Sequence, residues 1–511
     1  MNTGREDAAP RDPAVANRVL VIDSDLDAQF RLYPILKKHG YRVQSAGSTR
    51  EALAAISDSV PDLVICAVRA SGVEGAELCT RLKSTPATAG AWFIAVESAE
   101  AGPDAEAFWF TQGADGFAGS GASPEDLLAR LRAGERSLAR SRGHEMARRR
   151  MYREIDVLLV QEGGCAPGYN PVTAFLAEEL EAHGRRVYCA REGFRSLVSG
   201  RDEDFARLVY DQEEYRRIES IPGVVNAAFL TEAAGAQFRS ERYDPFRETE
   251  NQYAAARNLT ARNVRVLVAI GGNGTLKGIR ELAVRLPETT RTAFVPVTVD
   301  SDIAGTECIG QHTGVEIGAD KLRGYMADAR THKRVYLIEM MGARGGFHAL
   351  YSSLGARAHL AVLPGADPNP AVVMEALNRK DYAVIAVAEG YGADDPERRR
   401  LGLNAAAWLA RKLESSGIPS NKKIVTEPFS RDLRGAIPNN LDMVLARRMA
   451  RAVAEAVRAG RSAVMPAVTG DELRYLPFWK IDTENRVSED LARLADRLTL
   501  GLAAPRPAAA L

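Results

Sequence analysis

A chain of 511 residues is longer than one hydrophobic core ordinarily organises, so two or more domains are expected. Its composition, 46% hydrophobic and 26% charged with 67 basic against 67 acidic residues, describes a globular protein and argues against a binder of nucleic-acid polyanions. Five cysteines stand without CxxC or Cys/His spacing, and neither an apolar leader core nor a run of roughly 18 apolar residues is present, so zinc sites, disulfide frameworks and membrane spans are not signalled and a cytoplasmic protein is expected.

Residues 1–17 are polar and read as a disordered N-terminus. From 18 to 136, apolar strands (VLVI, DLVICAV, AWFIAV) alternate with helical stretches such as RLYPILKKHG, the pattern of a parallel α/β sheet. Ser123-Pro124-Glu125-Asp126 predicts a capped helix start, with the helix continuing to Tyr152. Residues 137–154 form its basic part, a linker helix. No aromatic platform accompanies the arginines of RSRGHEMARRRMYRE, so a solvated, partner-facing helix is preferred to a nucleic-acid site. A second α/β series covers 155–480, through IDVLLVQEGG, VRVLVAIGGNGT, TAFVPVTVDSD, KRVYLIEMMG, AHLAVLPG and DYAVIAVAEG. The carboxyl ends of parallel strands form the ligand crevice, which makes the glycines and acids there candidates for a site. Residues 481–511 read as a C-terminal helix and a frayed tail.

Residues 18–136 resemble a response-regulator receiver domain, which implies a flavodoxin-like fold: RVLVIDSDLD, PDLVICAVRASGVEGAELCTRLK, WFIAVESA and TQGADGFAGS follow the family's order. Phosphoryl transfer to an aspartate needs that aspartate, neighbouring acids for magnesium, a hydroxyl and a lysine. Here Ala67 holds the acceptor position, Ser24 stands beside Asp23 in place of the second acid, and Glu97 and Ser120 hold the hydroxyl and lysine positions. A pseudo-receiver is expected, serving in docking to a protein partner or in oligomerisation. A small aspartyl-phosphate donor is expected to leave this domain unlabelled, and stoichiometric labelling seen by intact mass would refute that reading.

The second region carries EGGCAPGYN at 162–170, SERYDPFRE, GGNGT, PVTVDSDIAGTE, THKRVYLIEMMGARGG, VAEG and EPFSRDLRGAIPNNLD. Singly these are weak signals, and a DxD at a strand end suits turn capping as well as catalysis. Together and in this order, residues 155 to about 466 resemble the ATP- or pyrophosphate-dependent 6-phosphofructokinase family, which implies a two-lobed Rossmann-like α/β fold. The resemblance makes Asp300 the general base toward the sugar's primary hydroxyl, with Asp302 supporting metal and phosphate. It puts Arg242 on the transferred phosphate, Arg247 near the nucleotide phosphates, and Gly163, Gly164, Gly274 and Thr275 around the donor. Thr298, Met341, Gly342 and Glu389 become sugar contacts. Arg334, Arg431 and Arg434 become sugar-phosphate contacts, Arg334 reaching across a subunit interface, so a homodimer or homotetramer is implied. Fructose 6-phosphate and ATP are the implied substrates, with Mg2+ held by Asn273, Asp300 and Asp302.

Several positions depart from the family. Asn273 stands for an aspartate, keeping one oxygen ligand and losing a full charge, which predicts weaker magnesium binding. Arg431 replaces a histidine, Leu433 a glutamine and Ala343 an arginine, with Arg344 adjacent; Gly365 replaces an acid of the effector site. Gly274 leaves room for the α-phosphate of ATP where pyrophosphate users place aspartate, and Val297 stands where they tend to carry lysine. ATP is favoured, pyrophosphate is the alternative donor, and a catalytically impaired sugar-phosphate sensor is the alternative from another class.

Overall fold

The computed structural model describes residues 17–68, 74–97, 104–119, 121–365, 370–417, 422–429 and 432–498. The N-terminal residues up to 16, Ser120, Arg431 and the tail beyond 498 lie outside the described residues. The chain divides into two compact units, Met1–Ala147 and Arg148–Leu511. In chain order the strands are β1 (Arg18–Ile22), β2 (Arg42–Ala46), β3 (Leu63–Val68), β4 (Trp92–Glu97), β5 (Gly116–Ala118), β6 (Val157–Glu162), β7 (Val187–Ala190), β8 (Phe205–Val209), β9 (Val224–Asn226), β10 (Val266–Gly271), β11 (Arg291–Pro296), β12 (Arg334–Met340), β13 (Leu360–Val362), β14 (Ala383–Ala388), β15 (Lys423–Phe429), β16 (Val464–Thr469) and β17 (Glu472–Pro477).

The first unit is a parallel sheet in the order β2-β1-β3-β4-β5, the doubly wound flavodoxin-like arrangement expected from the sequence. Apolar runs such as LVICAV and WFIAVE form its centre because helices cover both faces, with Leu63, Cys66 and Ala95 fully buried. The capped start is realised: the Asp126 N–H donates to the Ser123 hydroxyl at 3.2 Å and the Ser123 N–H donates to Asp126 at 3.3 Å. The helix Pro124–Arg153 then runs through position 136 without a break. At its end Tyr152 is buried edge-on against Tyr188, whose hydroxyl donates to the Met151 carbonyl at 2.9 Å.

The second unit holds two sheets among the described residues, in the orders β17-β16-β11-β10-β6-β7-β8-β9 and β13-β14-β12-β15. Their central pairs are parallel, as expected, but β7-β8 and β16-β17 are antiparallel additions. The stretch TAFVPVTVDSD, expected as one strand, ends as a strand at Pro296. Its neighbour β10 ends at Gly271, opposite Pro296, so the ladder runs out there, and the residues from Val297 onward form a loop that a bridge to Ile309 helps hold. In the larger sheet the chain passes from β6 to β7 on one side and later returns to β10 on the other. The carboxyl ends of β6 and β10 therefore make a topological switch point, where a crevice opens.

Candidate active site

β6 delivers the glycine loop to that crevice. Gly163 and Gly168 sit at φ +107° and +108°, a region open to glycine at little cost. A Cβ on Gly164 would lie 3.0 Å from Arg434 Nη1 and 3.5 Å from Arg242 Nη2, so its bare backbone lets two guanidiniums converge over the loop. β10 ends at Gly271 and the helix Asn273–Ala283 begins after Gly272, which offers no side-chain cap to the first turn. The exposed N–H groups and the helix dipole there favour an anion. Thr275 donates from its hydroxyl to the Glu162 carbonyl at 2.8 Å, tying this turn to β6. Gly274 is exposed, and a Cβ on it would meet nothing within 4 Å.

The acids sit beyond β11. The Thr298 hydroxyl accepts from the Asp300 N–H at 3.1 Å and donates to Asp302 Oδ1 at 3.3 Å, a local turn that fixes both carboxylates relative to the cleft. Between them Ser301 adopts φ +54°, held by its hydroxyl on Gln311 at 2.8 Å and by Asn485 on its carbonyl at 2.8 Å. Buried His348 contacts the Val299 carbonyl through Nε2, and burial pushes its imidazole pKa below the usual value. Asp300 Oδ1 is buried without a hydrogen-bond partner, and the Arg434 guanidinium stands 3.8 Å away. Burial, and then the Asp300 charge, raises Asp302 to about 6.

From the smaller sheet, the paired ends of β12 and β14, Met340 opposite Ala388, bring Gly342 and Glu389 together. Glu389 accepts the Ala343 N–H at 2.7 Å, and burial followed by the Asp300 charge raises its carboxyl. Met341 is buried and Gly342 sits at φ +130°. Arg434 also donates to the Cys165 carbonyl at 3.1 Å. Arg334, at the opposite, N-terminal end of β12, is paired with Asp328 at 3.8 Å and lies outside this chain's cleft lining. Arg344 does not stand in for the missing arginine at Ala343: it spends its guanidinium on Asp394, at 2.8 Å, outside the cleft lining. Arg247 lines the cleft rim, largely exposed and paired with Asp244 at 3.0 Å.

The cleft encloses about 600 Å³. Gly163, Gly164, Arg242, Asn273, Gly274 and Thr275 line it together with Thr298, Asp300, Asp302 and Arg434. Among the described residues no cluster of three or more His, Cys, Asp or Glu could hold a metal by itself. Two neighbouring carboxylates, one with an orphaned buried oxygen, nonetheless suit magnesium, which takes one or two carboxylates plus substrate oxygens. Glu162, Lys277 and the stacked Phe194–Phe246 pair, 4.2 Å between ring centroids, also line the cleft and were not singled out in the sequence. For Glu162 a signal existed, an acid closing a buried strand just before the glycine loop.

This geometry defines a doubly wound α/β fold with a glycine- and acid-lined cleft at the strand carboxyl ends. The phosphofructokinase family model matches residues 156–457, more than half of the chain, and the response regulator receiver domain matches residues 19–132. The chain belongs to the phosphofructokinase family. It is 29% identical over 336 residues to the pyrophosphate–fructose 6-phosphate 1-phosphotransferase of Thermoproteus tenax, covering 64% of this chain and 92% of that protein. It is 28% identical over 346 residues to ATP-dependent 6-phosphofructokinase 1 of Thermus thermophilus, covering 66% and 97%. Among solved structures, Pichia pastoris phosphofructokinase in the T-state matches with a TM-score of 0.53 at 21% identity, covering 64% of this chain. The match spans about a third of that fungal chain, 35%, and speaks to the fold alone.

Proposed function

We propose that this chain is a 6-phosphofructokinase that transfers the γ-phosphoryl group of ATP to the 1-hydroxyl of fructose 6-phosphate, as a homodimer or homotetramer in the cytoplasm. The observation that carries this reading is Asp300: a buried carboxylate oxygen at the switch-point cleft that accepts no hydrogen bond, ion-paired with Arg434 at 3.8 Å and flanked by Asp302. Such an oxygen is free to accept the sugar hydroxyl's proton as the phosphoryl group arrives. Arg242 and the first turn of the helix Asn273–Ala283 offset the charge spreading over the transferred group. Glu389 accepts from sugar hydroxyls. Arg434, Arg431 and an Arg334 supplied by a neighbouring subunit hold the sugar phosphate, in keeping with the position of Arg334 outside its own chain's cleft lining. Asn273, Asp300 and Asp302 are the residues that would hold magnesium, which when bound offsets the charge of the donor phosphates.

ATP is favoured over pyrophosphate by the open space at Gly274 and by the buried Val297. Gly274→Asp is sterically free on this helix turn, and it sets a carboxylate where the α-phosphate would lie. It is expected to lower kcat/KM for ATP by at least about tenfold, ~1.4 kcal/mol, and to spare turnover with pyrophosphate. Initial rates with each donor, for both proteins, test the choice; unchanged ATP kinetics in the variant, or turnover of the native chain with pyrophosphate alone, would remove ATP as the donor. Asn273 favours a second reading, in which the cleft senses sugar phosphate with little or no turnover.

A further inference from the structure

Glu162 lines the donor side of the cleft and has no part in the roles above. It closes β6, is 4% exposed, and its carboxylate accepts backbone N–H groups from two separate segments: Phe194 at 2.7 Å and Tyr243 at 3.0 Å. Its own carbonyl accepts the hydroxyls of Thr275 and Tyr169, each at 2.8 Å. One residue thus joins the glycine loop, the first turn of the helix Asn273–Ala283, the segment carrying Arg242, and the Phe194–Phe246 stack. The fit leaves no slack: Gly193 sits at φ +52°, and a Cβ there would lie 2.0 Å from Glu162 Oε2. Ionisable groups on the surrounding elements include Cys165, Tyr169, Glu192, Arg195, Arg239, Glu241, Arg242, Tyr243 and Lys277. Arg195 pairs with Glu241 at 3.2 Å and Arg239 with Glu192 at 3.0 Å, whereas the hydrogen bonds of the Glu162 carboxylate come from backbone N–H groups. Burial, opposed by those two N–H groups and reinforced by Glu241, pushes the Glu162 carboxyl up to about 7.

We propose that Glu162 is a positioning residue for the phosphoryl donor: by accepting both N–H groups at once, its carboxylate form holds Arg242 and the Phe194 wall in the donor-binding arrangement. This inference rests on the donor site proposed above. A carboxylate accepts strongly from both segments, whereas a protonated carboxyl has one oxygen carrying a proton, a neutral and weaker acceptor, so one of the two bonds is weakened. Glutamine has the same shape and the same fault, with an NH2 facing a backbone N–H, so Glu162→Gln is a lasting mimic of the protonated form.

The test is calorimetry on the full chain with Mg·ATP and Mg·pyrophosphate as probes, from about pH 6 to 8.5, with fructose 6-phosphate binding measured on the same samples as the control for an intact fold. Native donor affinity is expected to rise about tenfold across that range, while Glu162→Gln binds donor about tenfold more weakly at the alkaline end, with a shallower profile whose remainder comes from Asp302, itself raised to about 6, and with sugar-phosphate affinity within about twofold. Equal donor affinity and an equal pH profile in the two proteins would overturn the proposal, as would tighter donor binding by the variant, which would mean that the buried charge simply repels phosphate. The native pH profile tests the idea even if the variant folds poorly, since a flat native profile also refutes it. A native chain that binds fructose 6-phosphate but neither donor would instead bring down the donor site itself, and this inference with it.

Discussion

Asp300→Asn is expected to lower kcat by about 10²- to 10⁴-fold while leaving the affinity for fructose 6-phosphate within a few-fold, the range that a positioned general base contributes. The amide keeps the shape of the turn, whose hydrogen bond runs from the residue 300 N–H to Thr298, so the fold of the strand end should survive. What is lost is the buried oxygen able to take a proton and the charge facing Arg434 at 3.8 Å. An effect confined to kcat assigns the residue to the chemical step; an equal loss of sugar binding would make it a structural element of the pocket.

The second large effect runs the other way. Asn273→Asp is expected to raise kcat by about 10²- to 10³-fold and to lower the magnesium concentration giving half-maximal rate, because one preorganised electrostatic stabiliser is worth ~2.7–4 kcal/mol. The substitution suits its place: residue 273 opens the helix Asn273–Ala283 at the end of β10, where a carboxylate is favoured by the dipole, typically by about 0.3–1 kcal/mol. A magnesium titration of both proteins, with thermal melting alongside, checks both expectations. A rate unchanged by the substitution, in a protein that still binds both substrates, would mean that position 273 does not limit phosphoryl transfer.

The fold was legible where one local pattern dominated. Apolar runs such as LVICAV, VLLVQE and VLVAIG became buried central strands, and Ser123 became a helix cap, because periodicity and capping act over a few residues. The strands that escaped were β2, β5, β7, β8, β9, β15, β16 and β17; β5 and β9 are three residues long, β7 is four, and β15 and β16 are interrupted by Pro428 and Pro466, so their pairing comes from the sheet around them. The site followed the same division. The glycines, the two acids and Arg434 meet at one cleft because they close neighbouring strands or segments, which motif order anticipates. The left-handed Ser301, the pairing of Arg344 with Asp394 and the two N–H groups on Glu162 depend on partners from 32 to 184 residues away or on crowding in space, and no local rule points to them. Asn273 was legible as a departure, but its consequence for rate is set by the charge around it.

Kinase and sensor separate in a coupled assay of the purified chain with fructose 6-phosphate, magnesium and ATP, followed by calorimetry on the same preparation. Formation of the bisphosphate, abolished or nearly so in Asp300→Asn, is the result expected for a working phosphofructokinase. Sugar-phosphate binding without any bisphosphate, with ATP or with pyrophosphate, would contradict it and leave a kinase fold that only senses its sugar.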